Sequence, residues 1–485
     1  MFSRVTFALR TPALVLVFAA LAMPAFGDGP SLETLLAYLK SPNVSTRRDA
    51  AHKLGERRVR NQHAVESLAV SAARDEDASV RAEAVRSLGM IKDFSALKEM
   101  LEALRDPEPV VRRAAVKSLV TLYTEHDVDF ITNRHTGWNL LNPFLDTSDH
   151  EILEPYVVVD PGIVIALGES ARGDHDRDVR IAAIRALGVL RGREAIPYLA
   201  DALTADREVR IDVIRTFIKI GDPSAGQHLI SFFRDTDQRI RTQAMFAAGY
   251  LRYKPAQEPL LAIYALGPEK KSSITKVAMR VKGRFGYMPP RDEAALWALS
   301  LIGDEKSERI FVQNMTSKDG DRRQYAFEGL ARIGDPRYQD QISRLLVSES
   351  NGDVKLAQYW ALYRMGGAGQ LQNIVRKLDG DQSEQAAGYL LETANLQDLY
   401  PYVHSNNKAV RLKLIEIMGR IGDQETVAEL EPMVRTSGAG TADAATVAIK
   451  RIEWRMSGRP RASDNVMHRE PRAGDERPRR AINQR

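Results

Sequence analysis

A ten-residue phrase, roughly Val-Arg-x-x-Ala-x-x-x-Leu-Gly, returns about every thirty residues along this chain and limits what it can fold into. It stands at Thr46-Arg47 to Leu54-Gly55, Val80-Arg81 to Leu88-Gly89, Val179-Arg180 to Leu187-Gly188 and Val410-Arg411 to Met418-Gly419, with looser copies from Val111, Val209, Ile240, Arg322 and Val354. Self-similarity at such a period marks stacked units, each burying its apolar face only against its neighbours. Between equivalent basic residues the intervals are 34, 31, 68, 30, 31, 82, 32 and 56 residues. Those near thirty are single units. The 68 and 56 intervals fit two units with one degenerate, and 82 fits two units plus an insertion, so about eleven units are expected from Ser31 to Met456.

Within a unit the pattern is that of an antiparallel helix pair. Ala195, Leu199 and Leu203 form a stripe at four-residue steps on a first helix. A polar turn, Thr204 to Arg207, precedes Val209, Val213 and Phe217 on a second. Gly221-Asp222-Pro223 then stops it, glycine taking a left-handed cap and proline refusing to continue. The same stop recurs at Gly334-Asp335-Pro336 and, without proline, at Gly303-Asp304 and Gly422-Asp423. Neither helix buries its stripe alone. The expected fold is all-α, an α-solenoid wound as a right-handed superhelix.

The longer phrase Asp-x-x-Val-Arg-x-x-Ala-x-x-x-Leu-Gly, at Asp77 to Gly89 and Asp176 to Gly188, resembles the short HEAT repeat named after phycobilisome lyases. The resemblance implies a charge ladder between the turn aspartate and the helical arginine. The pairs Asp77/Arg81, Asp106/Arg112, Asp176/Arg180, Asp237/Arg241 and Asp319/Arg323 stand where such a ladder needs them. It also implies a protein-binding surface rather than a reaction centre. An enzymatic branch of the repeat family, deoxyhypusine hydroxylase, holds di-iron with several His-Glu dyads, whereas this chain has one, His150-Glu151.

The formal charge of +5 over 485 residues is unevenly placed. Residues 1–27 contribute +2 and residues 457–485 contribute +4, which leaves −1 on the body, so a basic isoelectric point gives no support to polyanion binding by the whole fold. The first 27 residues, with Arg4 and Arg10 before an apolar run from Ala13 to Met23, read as a secretory signal peptide too short to span a bilayer. With no cysteine there is neither disulfide nor thiolate chemistry. An exported, periplasmic protein is expected: a leader to residue 27, a solenoid over 28–456 with irregular insertions near 123–173 and 266–291, and a disordered Arg/Pro-rich tail over 457–485.

No nucleophile elbow, metalloprotease helix or P-loop occurs, so no catalytic residue, metal or cofactor is assigned. His126, His135, His150 and His175 lie among acids, but their spacing matches no metal pattern. Three surfaces remain. The loop residues Lys270, Lys271, Lys276, Arg280, Lys282 and Arg284, interleaved with Phe285 and Tyr287, have the composition of an anion-binding loop. In an exported chain its anion would be an envelope polymer, an anionic lipid surface or an acidic protein rather than nucleic acid. Position six after the Val of each phrase reads His52, Arg86, Lys117, Arg185, Arg215, Phe246, Glu328, Trp360 and Glu416. On second helices lining a concave face, Arg86, Lys117, Arg185 and Arg215 would attract an acidic protein partner, and Phe246 and Trp360 would hold it. The ladder completes the set.

Overall fold

The computed structural model describes residues 29–124, 152–154, 157–268, 289–392, 395–436 and 438–457. Among them no strand occurs, and twelve helical pairs follow one another. Their second helices, units 1 to 12 in order, are Val44–Glu56, Ala78–Ile91, Pro109–Thr121, Arg177–Val189, Arg210–Ile220, Gln238–Tyr250, Arg291–Ile302, Gly320–Ile333, Gly352–Arg364, Ser383–Leu391, Lys408–Ile421 and Ala439–Ser457. The stripes set out for the fifth unit form its interior: Ala195, Leu199, Leu203, Val209, Val213 and Phe217 are all fully buried. Burying each large side chain contributes roughly 1.5–3 kcal/mol.

The recurring Leu-Gly has a packing cause. A Cβ on Gly249 would lie 2.7 Å from the Ala298 backbone of the next second helix, and one on Gly89 would lie 2.7 Å from the Ser118 side chain. Glycine lets successive second helices touch. They pack on one another more closely than the first helices do, which puts them on the inside of the curve.

Three expectations are corrected. The twelve pairs of the described residues agree with the about eleven expected, but the 68-residue interval carries Arg112 of unit 3 directly to Asp174 of unit 4, at 2.7 Å, where a degenerate unit was expected between them. The stretch expected to stay irregular to residue 173 is helical from Pro161 to Gly173, where Asp160 caps it, proline starts it and Ile163, Val164 and Leu167 supply its stripe. At the glycine stops, Gly221, Gly303 and Gly334 take φ of 70°, 62° and 74°, but Gly422 has φ −64° and ends its helix in extended backbone. The 56 and 82 intervals hold two units each, and the second also contains residues 269–288, which lie outside the described residues.

The array also coils back on itself. Arg252, just after the unit 6 second helix, pairs with Glu392 at the end of unit 10, and Arg451 of unit 12 pairs with Glu154 ahead of unit 4 at 3.1 Å.

Candidate functional site

The inner face is built by a register rule: position six of one second helix meets position three of the next. His52 meets Glu83 at 2.9 Å and Arg185 meets Asp212 at 2.8 Å. Trp297 stacks on Tyr325, with ring centres 5.6 Å apart and planes at 10°. Trp297 occupies position six of unit 7, whose phrase begins at Arg291 and so lacks the Val-Arg signal. Phe246 lies 4.3 Å from Trp297, so three units present a row of half-buried aromatic rings, Phe246, Trp297 and Tyr325.

The cationic half of the stripe differs from the expected one. Arg185 is largely buried against Asp212, and Arg86 turns back to Glu83 on its own helix at 2.5 Å. Lys117 and Arg215 are half-buried and also engaged. Carboxylates at position three neutralise much of the charge, because a guanidinium on a crowded inner face needs a partner once water is excluded.

Trp360 is the second correction: it is 0% exposed and cannot be a groove contact. Its ring stacks on Tyr389 at 4.3 Å with planes 2° apart, while the Arg332 guanidinium covers the other face at 4.9 Å. Tyr389 donates to Glu328 at 2.6 Å, and Gln385 donates to Tyr389 at 2.8 Å. Burial, then the neighbouring Glu328 carboxylate, push the Tyr389 hydroxyl well above its ordinary pKa, so it stays a donor. Arg332 also grips Glu392 with both Nη2, at 2.8 Å, and Nε, at 3.2 Å. Burial raises the Glu392 carboxyl, but Arg332 and Arg252 outweigh it and hold it below the usual range.

The ladder exists with different carboxylates. Arg81 takes Asp106 at 2.7 and 3.0 Å, Arg112 takes Asp174, Arg180 takes Asp206, and Arg323 takes Glu349 at 2.8 and 3.0 Å. Each bond crosses to the following unit. The aspartates Asp77, Asp176, Asp237 and Asp319 are instead N-caps of their own helices, accepting from Ser79, Val179, Arg239 and Asp321 backbone N–H groups. The ladder acid lies two residues earlier where a cap follows: Asp75 and Asp174 accept both the crossing arginine and the N–H of the capping residue. The arginine meanwhile holds its own turn, as Arg81 does by donating to the Asp75 and Glu76 carbonyls. Arg241 likewise donates to Asp235 and Thr236.

A second set of ties escaped the sequence reading. At the C-terminal ends of second helices the non-glycine residues Arg58, Lys92, Arg191 and Arg252 all have positive φ, between 47° and 56°. Lys92 donates to the Thr124 carbonyl and Arg191 to that of Ile220, each at the end of the next unit's second helix; Arg332 reaches back to Ser300 at 2.9 Å. Cations there satisfy terminal carbonyls and the negative helix end. The signal was present: each of the four stands three residues after the glycine of its phrase.

Lys270, Lys271, Lys276, Arg280, Lys282 and Arg284 lie outside the described residues, as do His126, His135, His150, the leader and the tail beyond Ser457. No group of three metal-ligating side chains occurs among the described residues, and no described helix is long and apolar enough to cross a membrane. A cleft of about 890 Å³ separates the outer helices Leu97–Glu102 and Pro161–Gly173. Its lining carries Lys98, Arg105 and Arg172 beside Glu102, Asp160, Glu169 and Asp174, so acids and bases are nearly balanced there.

The family model of HEAT repeats matches residues 65–136 and 165–249. Phycocyanobilin lyase subunit alpha of Nostoc sp. strain PCC 7120 is 25% identical over 243 residues, 48% of this chain and 79% of that protein. Among solved structures, the complex of CpcE and CpcF of phycocyanin lyase from the same strain aligns with TM-score 0.25 and 17% identity, covering 73% of this chain and 99% of that one. Importin beta aligns with TM-score 0.41 and 12% identity, covering 88% and 68%. The stacked helical pairs, their Leu-Gly contacts and the family match agree: residues 65–136 and 165–249 carry HEAT repeats, and the chain is similar to a phycobilisome-lyase-type repeat protein.

Proposed function

We propose that this chain is an exported, non-enzymatic protein-interaction scaffold that takes a partner along its inner face. The observation that supports this most is the continuity of that face. Side chains from successive second helices form one surface that passes from paired charges in units 1–5 to the aromatic row of units 6–8. Paired charges give register and specificity more than affinity, and aromatic rings are the usual anchors of binding energy. The partner would therefore lay alternating charge on the first half and bury apolar side chains on Phe246 and Trp297. Export rests on the leader pattern of residues 1–27, and the periplasm is the compartment it points to.

The test is a pull-down from the native envelope fraction with residues 28–485. Phe246→Ala/Trp297→Ala, Arg185→Glu/Arg215→Glu and Lys282→Glu/Arg284→Glu would run beside it, each checked for unchanged helicity. A specific protein lost with the first two variants supports the scaffold. Retention of only anionic polymer or lipid, lost with Lys282→Glu/Arg284→Glu, moves the reading to an envelope-surface binder acting through the basic loop and tail. The likeness to a phycocyanobilin lyase subunit supports a further reading, a lyase-type activity. Incubation with phycocyanobilin decides it, because tight pigment retention with a shifted visible band would displace the scaffold reading.

A further inference from the structure

We propose that Glu392 is a brace that fixes the curvature of units 6 to 10, so that the inner face is held in one shape until that carboxylate is released. In a helical-repeat array each unit touches only its neighbours, and the bend accumulates from a small rotation per unit. A bond between units 6 and 10 spans four such steps. Arg252 makes it, at 2.6 Å to one Glu392 oxygen, 140 positions further along the chain. The other arm is Arg332 of unit 8, bound to the same carboxylate through two nitrogens.

The two remaining units of the arc are tied in by the same groups. Arg332 donates to the Ser300 carbonyl that ends unit 7, at 2.9 Å, and its guanidinium lies over Trp360 of unit 9. Arg364 of unit 9 donates to the Glu392 main-chain carbonyl at 3.4 Å. Five second helices are therefore tied together through the Glu392 carboxylate and the Arg332 guanidinium bound to it. Unwinding any step would separate Arg252 from Glu392 first, since their separation sums the change at all four.

The brace can be released. The Glu392 and Arg252 side chains keep 24% and 57% exposure, so water, salt and a competing acid or base can reach the bond. A partner that needs a flatter inner face would break it, and one that fits the closed face would be helped by it. The linkage applies to any ligand that distinguishes the two curvatures, including but not requiring the protein partner proposed above.

Because the chain has no cysteine, Ser231→Cys/Lys377→Cys gives two clean labelling sites, exposed on the outer helices of units 6 and 10. Pulsed electron–electron spin distances are measured on this pair alone and with Arg252→Ala, Arg252→Lys or Glu392→Gln. The brace predicts that Arg252→Ala and Glu392→Gln lengthen and broaden the distance distribution beyond the parent width, that Arg252→Lys preserves it, and that about 1 M salt, with a screening length near 3 Å, moves the parent the same way. Helicity by circular dichroism stays unchanged. If Glu392→Gln loosens Trp360 packing and unfolds the region, Arg252→Ala, outside that packing, still decides. An unchanged distribution in Arg252→Ala would sink the proposal.

Discussion

Units 1–6 and units 7–12 reach the same architecture by different chemistry. In the first half the ties repeat: an arginine from each unit crosses to the next unit's turn carboxylate, as Arg47–Asp75, Arg81–Asp106, Arg112–Asp174, Arg180–Asp206 and Arg210–Asp235. In the second half Arg323–Glu349 continues the series, but among the described residues Arg411 reaches the next unit through the Thr441 hydroxyl, at 3.3 Å, with no carboxylate, and Asn407 takes Asp379. What replaces the ladder is particular to its place: Trp360 on Tyr389, Tyr389 on Glu328, Arg332 and Arg252 on Glu392. A repeated tie spreads stability evenly over units, whereas a local network concentrates it. The first half should therefore tolerate loss of any one unit's contacts better than the second tolerates loss of its hub.

The largest effect is expected at that hub. Trp360→Ala removes a fully buried ring stacked on both faces and should cost about 3–5 kcal/mol. Denaturant unfolding should then split into two transitions, units 7–12 melting first. Phe246→Ala, on a half-buried ring, should cost less than half as much and keep one transition. Equal losses for the two would erase the distinction between hub and groove.

The ladder gives the next contrast. Arg112→Ala leaves Asp174 nearly buried without its cation and the Asp106 and Pro107 carbonyls without a donor, so a loss on the order of 3 kcal/mol is expected. Arg411→Ala gives up a hydroxyl contact and one carbonyl bond, a loss of about 1 kcal/mol. Chemical denaturation of both variants measures the difference, and a larger loss at Arg411 would refute the view that the ladder weakens along the chain.

The architecture was legible because its causes are local and repeated. Leucine spacing, Gly-Asp-Pro stops and the Arg at a fixed offset each carry their own physics, and the repetition averages away single exceptions. The candidate site was less legible because its partners come from another unit. Position six identified Phe246, but nothing local to Trp360 distinguishes a groove residue from one sandwiched between Arg332 and Tyr389. Asp77 and Asp75 both precede Arg81, and only the crossing direction separates cap from ladder. Glu392 carries no motif, since its meaning depends on a residue 140 positions away.

Extremes of pH should divide the halves in a further way. Asp77, held low by the Ser79 hydroxyl, and Glu349 and Glu392, where burial is outweighed by arginine, all have depressed carboxyl pKa values. Their contribution is full above the unfolded carboxylate range and is lost as pH falls through the lowered native values, so acid weakens both halves. Alkali does not act evenly. Tyr363, raised by burial and then by Asp398, and Tyr389 contribute stability that is full below the unfolded phenol pKa and is lost as pH rises through their raised native values. Among the described residues of the ladder half, Tyr123 alone is so placed, raised by burial. Hydrogen exchange above about pH 10 should open units 9 and 10 before units 1–6. The reverse order would show that the tyrosine network does not hold the second half.

The smallest effect sharpens the comparison inside the first half. Arg58, Lys92 and Arg191 share left-handed backbone, which costs a side-chain-bearing residue roughly 1 kcal/mol relative to glycine. Lys92 and Arg191 offset that by donating to the next unit's terminal carbonyl, and Arg58 makes no such side-chain bond among the described residues. Arg58→Gly should therefore stabilise by about 0.5 kcal/mol, after glycine's greater unfolded-state entropy is subtracted. Lys92→Gly and Arg191→Gly should be neutral or destabilising, because the relief of strain is matched by a carbonyl left without its cation. Thermal melts of the three variants rank them. A gain from all three would mean that the basic residues at these helix ends are tolerated there and do not tie the units together.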